Sequence, residues 1–296
     1  MGISAANELQ HDPILRALLE AHADAALVVD GDGRVVAHNA VFARNFANET
    51  TMLDRSIELL LDRSAPLDHP LRLASLGAVF TGGPRCDGRV VFARTLDGAA
   101  LRPVEVSAGP VVTDRATLVL VTMHDATARL EVERKLHHAS THDALTGLSN
   151  RALIEEARAP IERRQEPFAV VIADVDGLKA VNDRHGHEAG DALIVAAGDA
   201  MRSAVTQSDD IVARLGGDEF ALLLVDATEE RLEAAMRSVR EYVSRREAGS
   251  SPVLALSVGG AIRNGGESLA RVMRRADEAM YRDKMARRAA TSASPR

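Results

Sequence analysis

Two pairs of carboxylates are placed where they could do chemistry. The first closes an apolar run, Phe168–Val175, which ends in Asp174-Val175-Asp176. In an extended chain residues i and i+2 share a face, so Asp174 and Asp176 project to one side of the strand end. Carboxylates so paired repel each other and resist desolvation unless a positive charge sits between them. A hard divalent cation is the natural partner, and Mg²⁺ usually completes its shell with substrate phosphates. The alternative is that one aspartate caps the next segment while the other is solvated. The second pair lies in Arg214-Leu215-Gly216-Gly217-Asp218-Glu219-Phe220, with two glycines and two acids at a hairpin tip. Glycine permits the positive φ of a tight turn and, without a Cβ, lets a ligand approach the backbone. If the two tips face each other, Asp174 and Asp218 converge on metal ions ~3.5–4 Å apart, as in two-metal phosphoryl transfer.

The elements that must position these groups follow from periodicity and turn residues. The second half reads as helix 143–164, strand 168–176, helix 188–204 and strand 211–215. Turn 216–218 leads into strand 219–225, followed by helix 229–246, strand 253–262 and helix 269–288. Without its first helix the order is β-α-β-β-α-β, a ferredoxin-like pattern with a four-stranded antiparallel sheet. The central, adjacent strands are expected to be the first strand and the strand after the first helix.

The first half reads differently. Ile14, Leu15, Leu18 and Leu19 make a short amphipathic helix within residues 1–19. Runs 26–30 and 34–37 flank an Asp/Gly turn, and runs 88–95, 101–108 and 117–124 follow, with turns at Asp97-Gly98 and Thr113-Asp114. Residues 40–76 are helical or irregular. Helix 128–140 has no Gly or Pro, and Val132, Leu136 and Ala139 form one possible coiled-coil seam. The whole is an α+β chain of two domains joined by a helix.

Composition excludes several classes. With 296 residues, 46% hydrophobic and 27% charged, the chain is ordinary globular protein. No apolar stretch reaches the ~20 residues of a membrane helix. The start MGISAANELQHD lacks a signal peptide's basic and apolar regions. A net charge of −7 argues against a nucleic-acid groove or a polybasic membrane patch, and 3% aromatics with no Trp argue against base-stacking platforms. The single cysteine, Cys86, cannot form an internal disulfide, which fits the cytoplasm. There is no G-x-x-x-x-G-K-[ST] phosphate loop. His185-Gly186-His187 has neither the spacing nor the Cys partner of a zinc site.

Residues 20–126 resemble a PAS sensor domain, on Val29-Asp30-Gly31-Asp32-Gly33-Arg34-Val35-Val36, His38-Asn39 and the closing Asp125-Ala126-Thr127. The resemblance leaves the sensor's ligand unknown. The surroundings of Cys86 do not resemble a flavin photosensor's, and His69, next to Pro70, reads as a loop residue rather than a haem ligand. In PAS-linked enzymes a helix such as 127–142 tends to couple two domains across a dimer.

Residues 143–296 resemble the GGDEF domain of diguanylate cyclases. Gly216-Gly217-Asp218-Glu219-Phe220 is the signature, and Asp143-Ala144-Leu145-Thr146-Gly147-Leu148-Ser149-Asn150-Arg151 is similar to the family's entry motif. Asp174 to Asp191, Leu256-Ser257-Val258-Gly259 and Ala276-Asp277-Glu278-Ala279-Met280-Tyr281 match in order. The resemblance implies condensation of two GTP into cyclic di-GMP and two pyrophosphates by a homodimer, each domain holding one nucleotide. It implies Mg²⁺ or Mn²⁺ held by Asp174, the Val175 carbonyl and Asp218. Asp218 also activates the 3′-hydroxyl, with Glu219 the neighbouring signature acid and Lys179 neutralising phosphate charge. Asn182 and Asp191 read guanine, whose N1–H and N2–H₂ a carboxylate can accept. His187 lies beside the nucleotide, in what reads as a Gly-rich loop, with local scaffolding as the alternative reading. Gly216 and Gly217 lie against the nucleotide, and Lys284 and Arg288 hold phosphates.

Three departures from the family pattern matter. Leu178 replaces a usual Phe, a packing change. Asp283 and Arg287-Arg288-Ala289 alter the last helix, including a lost Gly near its end. The R-x-x-D product-inhibition motif has Asp210 but Gln207 where the arginine belongs, and Gln cannot make Arg's charged bidentate clamp. Two other classes compete with the enzyme: a catalytically dead nucleotide-binding effector, and a pure sensor or dimerisation protein. Intact Asp174, Lys179, Asp218 and Glu219 argue against the first, and an assay of GTP turnover separates both.

Overall fold

The computed structural model describes residues 12–46, 52–57, 86–94, 101–114, 116–164, 166–247 and 252–293. His69 and the Asp97-Gly98 turn lie outside them. The chain divides into two compact units, Met1–Arg134 and Lys135–Arg296.

In the first unit, α1 (Pro13–Glu20) precedes β1 (Ala25–Val29) and β2 (Val35–His38). Then come α2 (Ala40–Phe46), β3 (Cys86–Arg94), β4 (Leu101–Val112) and β5 (Thr117–Asp125). Asp12 caps α1 through Oδ1, which accepts from the Ile14 and Leu15 amides. The Asp30 carboxylate accepts from the Asp32 and Arg34 amides and Gly33 has φ 76°, which turns β1 into β2. The sheet runs β2-β1-β5-β4-β3, antiparallel throughout. Every residue of β1 is buried, because alternate side chains enter two cores. Ala25, Leu27 and Val29 join Phe42 and Phe46, while Ala26 and Val28 join Leu15 and Leu19 of α1. Ile14 and Leu18 remain exposed, so only half of the expected apolar helix face is covered. Asn39 is fully buried and fully used. Its Oδ1 accepts from Ala26 and Phe42, and its Nδ2 donates to the Leu19 and Asp24 carbonyls. This ties α1, β1 and α2 together.

The unit boundary falls within α3 (Thr127–Thr141). In the second unit follow β6 (Ser149–Asn150), α4 (Arg151–Arg164), β7 (Phe168–Val175), α5 (Leu178–His185) and α6 (His187–Arg202). They continue as β8 (Ile211–Gly216), β9 (Glu219–Val225), α7 (Glu229–Glu247), β10 (Leu256–Ile262) and α8 (Leu269–Ala293). The sheet order is β10-β7-β9-β8-β6. Without β6 it is the ferredoxin-like arrangement expected, and β6 is a short fifth strand lying parallel to β8.

Three expectations need correction. The neighbours of β7 are β9 and β10, not β8. The crossover through α5 and α6 leaves a gap beside β7, and the second arm of the hairpin fills it, a split βαβ unit. The helix expected from residue 143 begins at Arg151. Before it, the Asp143 carboxylate accepts from the Thr146 amide and hydroxyl, and Gly147 has φ 66°, which makes a turn rather than a helix. The helix expected from 188 is preceded by a separate one, α5, and Gly186 at φ 84° breaks the two apart. His187 therefore opens α6 and does not lie in a loop.

All eight residues of β7 are buried. Ala169, Val171, Ala173 and Val175 face α6 and α7, through Leu193, Ala197 and Val239. Val170 and Ile172 face α4 and α8, through Ile154, Val272 and Ala276.

Candidate active site

The strand register builds the site. Asp174 pairs with Glu219 on one side and with Ser257 on the other, so β10, β7 and β9 end in one row. The hairpin tip is held against β7 by the Val175 amide, which donates to the Asp218 carbonyl at 3.0 Å. Asp174 is only 7% exposed. Burial pushes its carboxyl above the usual aspartate range; the bond from Lys284 opposes this, and the charges of Asp218 and Asp176 reinforce it. Lys284, from α8, places Nζ 2.5 Å from Asp174 Oδ1. Asp176 lies close enough for its charge to act on Asp174. Its carboxylate accepts from Ser257 Oγ at 2.9 Å and its amide donates to the Ala255 carbonyl, which anchors the chain leaving β7.

This end of the sheet suits a hard cation. An ammonium already stands on the buried carboxylate, and two further acids nearby raise that carboxylate's proton affinity. Among the described residues no three His, Cys, Asp or Glu side chains cluster as a metal cage. Two carboxylates and a backbone carbonyl offer none of the imidazole or thiolate ligands that zinc sites use but match Mg²⁺, which takes one or two carboxylates and fills its shell with phosphate and water.

A second group of residues lies after β7. Gly177, at φ 73°, turns the chain into α5, which carries Lys179 on an exposed position. Asn182, one turn on, has its Oδ1 buried without a hydrogen-bond partner. Such an atom is costly unless a ligand supplies a donor. Gly190 of α6 makes room for it, since a Cβ there would lie 1.8 Å from Asn182 Oδ1. Asp191 is the next residue and is exposed. Gly190→Ala therefore displaces the Asn182 carboxamide, a movable side chain, while Ala suits a helix better than Gly. The expected outcome is about tenfold weaker binding of a GTP analogue by calorimetry, the loss of one good hydrogen bond, with an unchanged or slightly raised melting temperature.

Residues 140–290 match the family "Diguanylate cyclase, GGDEF domain". The chain belongs to this family. It is 30% identical over 262 residues to the diguanylate cyclase DgcM of Escherichia coli K12, covering 86% of this chain and 61% of that protein. It is 38% identical over 170 residues to the bifunctional diguanylate cyclase/cyclic di-GMP phosphodiesterase MucR of Pseudomonas aeruginosa, covering 54% of this chain and 24% of that one. The chain thus spans about three-fifths or less of the length of these relatives. A crystal structure of the coiled coil and GGDEF domain of DgcB from Caulobacter crescentus, in complex with c-di-GMP, is 28% identical. It covers 54% of this chain and 92% of that one, with a TM-score of 0.48.

Within the GGDEF domain, two residues that carried no assigned role support the signature loop. Arg214 donates from Nε and Nη2 to the Gly217 carbonyl at 3.0 and 2.8 Å. Its Nη1 reaches the Asp143 carboxylate at 3.1 and 3.2 Å. Both residues stand in the motifs quoted above, but their pairing joins positions 71 residues apart and only the fold displays it. Burial alone would raise the Asp143 carboxyl, yet the bonds from Thr146 and Arg214 outweigh it and hold it below the usual range. A depressed carboxyl adds stability above its unfolded pKa of about 3.9, and that contribution is lost as pH falls through the lower folded value. Asp143→Asn should cost about 1–2 kcal/mol at pH 7. In thermal unfolding the gap between variant and parent should narrow below pH 4.

The last helix of the GGDEF domain continues to Ala293, so Arg288 sits one turn beyond Lys284 on the same helix side. The Gly lost near its end does not shorten it. Asp283, the unusual residue before Lys284, accepts from the Val258 amide at 3.0 Å and from Arg287 Nε at 3.0 Å, fastening α8 to β10. No described helix is long and apolar enough to cross a membrane.

Proposed function

We propose that residues 143–296 condense two GTP into cyclic di-GMP and two pyrophosphates, as a homodimer in the cytoplasm, under control of a PAS-like sensor at 20–126. The observation that carries the reading is the row Asp174–Glu219 with the Asp218 carbonyl bound by the Val175 amide, together with the buried Oδ1 of Asn182 that has no hydrogen-bond partner. Asp174, the Val175 carbonyl and Asp218 hold Mg²⁺ or Mn²⁺, which supplies Lewis-acid stabilisation of phosphate charge when bound. Asn182 and Asp191 orient guanine, with His187 at the start of α6 beside them. Gly216 and Gly217 let the ribose and phosphates approach the backbone. Asp218 takes the proton of the attacking 3′-hydroxyl and Glu219 stands next to it as the second signature acid. Lys179, Lys284 and Arg288 meet the phosphates, and Lys284 leaves Asp174 to do so. One domain holds half of the reacting pair, so two copies must align. The exposed Val132 and Leu136 on α3 favour pairing through helix 127–142. The sensor reading is supported by the antiparallel order β2-β1-β5-β4-β3 with a helix after the second strand. Its absorption spectrum identifies a haem or flavin if one is bound.

The test is incubation with GTP and Mg²⁺, assaying pyrophosphate and cyclic di-GMP. No product from a folded dimer at high protein concentration overturns the reading.

Feedback through the product-inhibition motif should be weak or absent. Besides the Gln207 replacement, Asp210 is already saturated. Its side chain is 0% exposed and receives Arg231 Nη2 at 2.6 and 2.7 Å. The amides of Thr206, Gln207 and Val225 bind it as well. Initial rates should change little or not at all in micromolar cyclic di-GMP, and a halt of turnover at low-micromolar product that disappears in Asp210→Asn would contradict this.

A further inference from the structure

Four charges cross the end of the sheet on one face. Lys284 stands on Asp174; Asp174 pairs in register with Glu219; and Arg151 Nη2 approaches Glu219 Oε2 at 4.0 Å. Lys284 is largely buried, but the Arg151 side chain is 60% exposed. Among the described residues its interactions are this long ion pair and a 3.3 Å bond from Nε to the Leu215 carbonyl. An exposed pair of that length contributes little. Arg151 is also the first residue of α4, where the helix dipole disfavours a cation. Local interactions thus give weak reason for a cation here.

Arg151 lines a cleft of about 450 Å³ together with Asn150, Arg214, Gly216 and Gly217. The volume is in the range of small-molecule sites. Arg214 is committed to Asp143 and to the Gly217 carbonyl, which leaves Arg151 as the available guanidinium among the described lining residues. A Cβ built on Gly216 or Gly217 would meet nothing within 4 Å, so the signature loop is open to an approaching ligand.

We propose that this cleft is a phosphate subsite and that Arg151 is its ligand. A planar guanidinium matches two phosphate oxygens, which a 4.0 Å contact with Glu219 does not satisfy. The proposal rests on the nucleotide chemistry of the preceding section. The phosphate belongs either to the chain's own nucleotide or to that brought by a second copy.

Pyrophosphate binding, followed by calorimetry on the full chain, tests the subsite without reference to turnover. Arg151→Ala should weaken it about tenfold and Arg151→Lys by less, with melting temperatures near that of the parent because the side chain is exposed. No pyrophosphate binding by the parent, or affinity in Arg151→Ala within twofold of it, overturns the proposal even if cyclic di-GMP is made. Conversely, a parent that binds pyrophosphate through Arg151 but makes no cyclic di-GMP retains the subsite and loses the cyclase reading. A non-hydrolysable GTP analogue then separates the two sources. Analogue affinity that falls in Arg151→Ala at dilute protein assigns the phosphate to the chain's own nucleotide. Unchanged affinity with turnover reduced tenfold or more assigns it to the second copy's.

Discussion

Asp218→Ala should abolish cyclic di-GMP synthesis while leaving the protein folded, with a rate loss on the order of 10³-fold or more. The expectation combines the two roles proposed for Asp218, metal binding and removal of the 3′-hydroxyl proton, each an electrostatic contribution to catalysis. Stability should move little or rise. The Asp218 charge is among the causes that push the Asp174 carboxyl upward, so removing it relieves a repulsion. A raised carboxyl is the reverse of Asp143: its favourable contribution is present in acid and is lost as pH rises through the folded pKa. Above that point, ionised Asp174 depends on its cation. Addition of Mg²⁺ should therefore raise the melting temperature of the parent more than that of Asp218→Ala. Assay of product at equal concentrations of folded protein, with a thermal melt of each, checks both halves. Turnover by the variant within tenfold of the parent would remove Asp218 from the mechanism.

Gly259→Ala should be the most damaging small substitution in the GGDEF domain. Gly259 lies in the middle of β10, where α8 crosses it. An added Cβ would sit 1.9 Å from the Met280 amide nitrogen, 2.5 Å from the Ala279 carbonyl carbon and 2.6 Å from the Ala276 carbonyl oxygen. All three are backbone atoms of a helix and no rotamer change clears them, so α8 must be displaced. Overpacking of this kind costs about 3 kcal/mol or more, roughly a 10 °C fall in melting temperature for a domain of this size. Activity should fall further than stability requires. Lys284 is one turn beyond Met280, and the Asp283 bond to the Val258 amide is adjacent to the clash. Neighbouring Gly260 provides the control. Its added Cβ would meet the ends of Leu232 and Met236 at 2.8 and 2.9 Å, and those side chains can move. Gly260→Ala should cost about 1 kcal/mol and spare turnover. Equal melting temperatures for the two variants would show that α8 is not pinned at Gly259.

Much of this site could be read along the chain because its parts are local. The run Phe168–Val175 declared a central strand covered on at least one face, which the structure buries on both, and the acids at its end were visible as a break in that run. Gly216-Gly217 declared a turn, and Asp218-Glu219 its chemistry. The ferredoxin-like order followed from alternating periods of two and 3.6 residues. Errors arose where competing local signals had to be weighed. Asp143 and Gly147 turn the chain before Arg151, since a carboxylate accepting two bonds from Thr146 outcompetes helix nucleation. Gly186 splits α5 from α6, and His187 is consequently a helical residue.

What the sequence by itself determined is the chemistry of each position and its distance along the chain: acids that need a cation, glycines that open a loop, and a missing arginine at Gln207. Tertiary structure alone decided which of them meet. Strand register set Asp174 opposite Glu219, and the order of the sheet set β9 rather than β8 beside β7. Helix packing brought Lys284 to Asp174 across 110 residues and closed Arg231 over Asp210 across 21. The physical reason is that a side chain's charge and shape are properties of one residue. Burial, proton affinity and pairing depend on neighbours that hydrophobic packing selects only when the whole sheet forms.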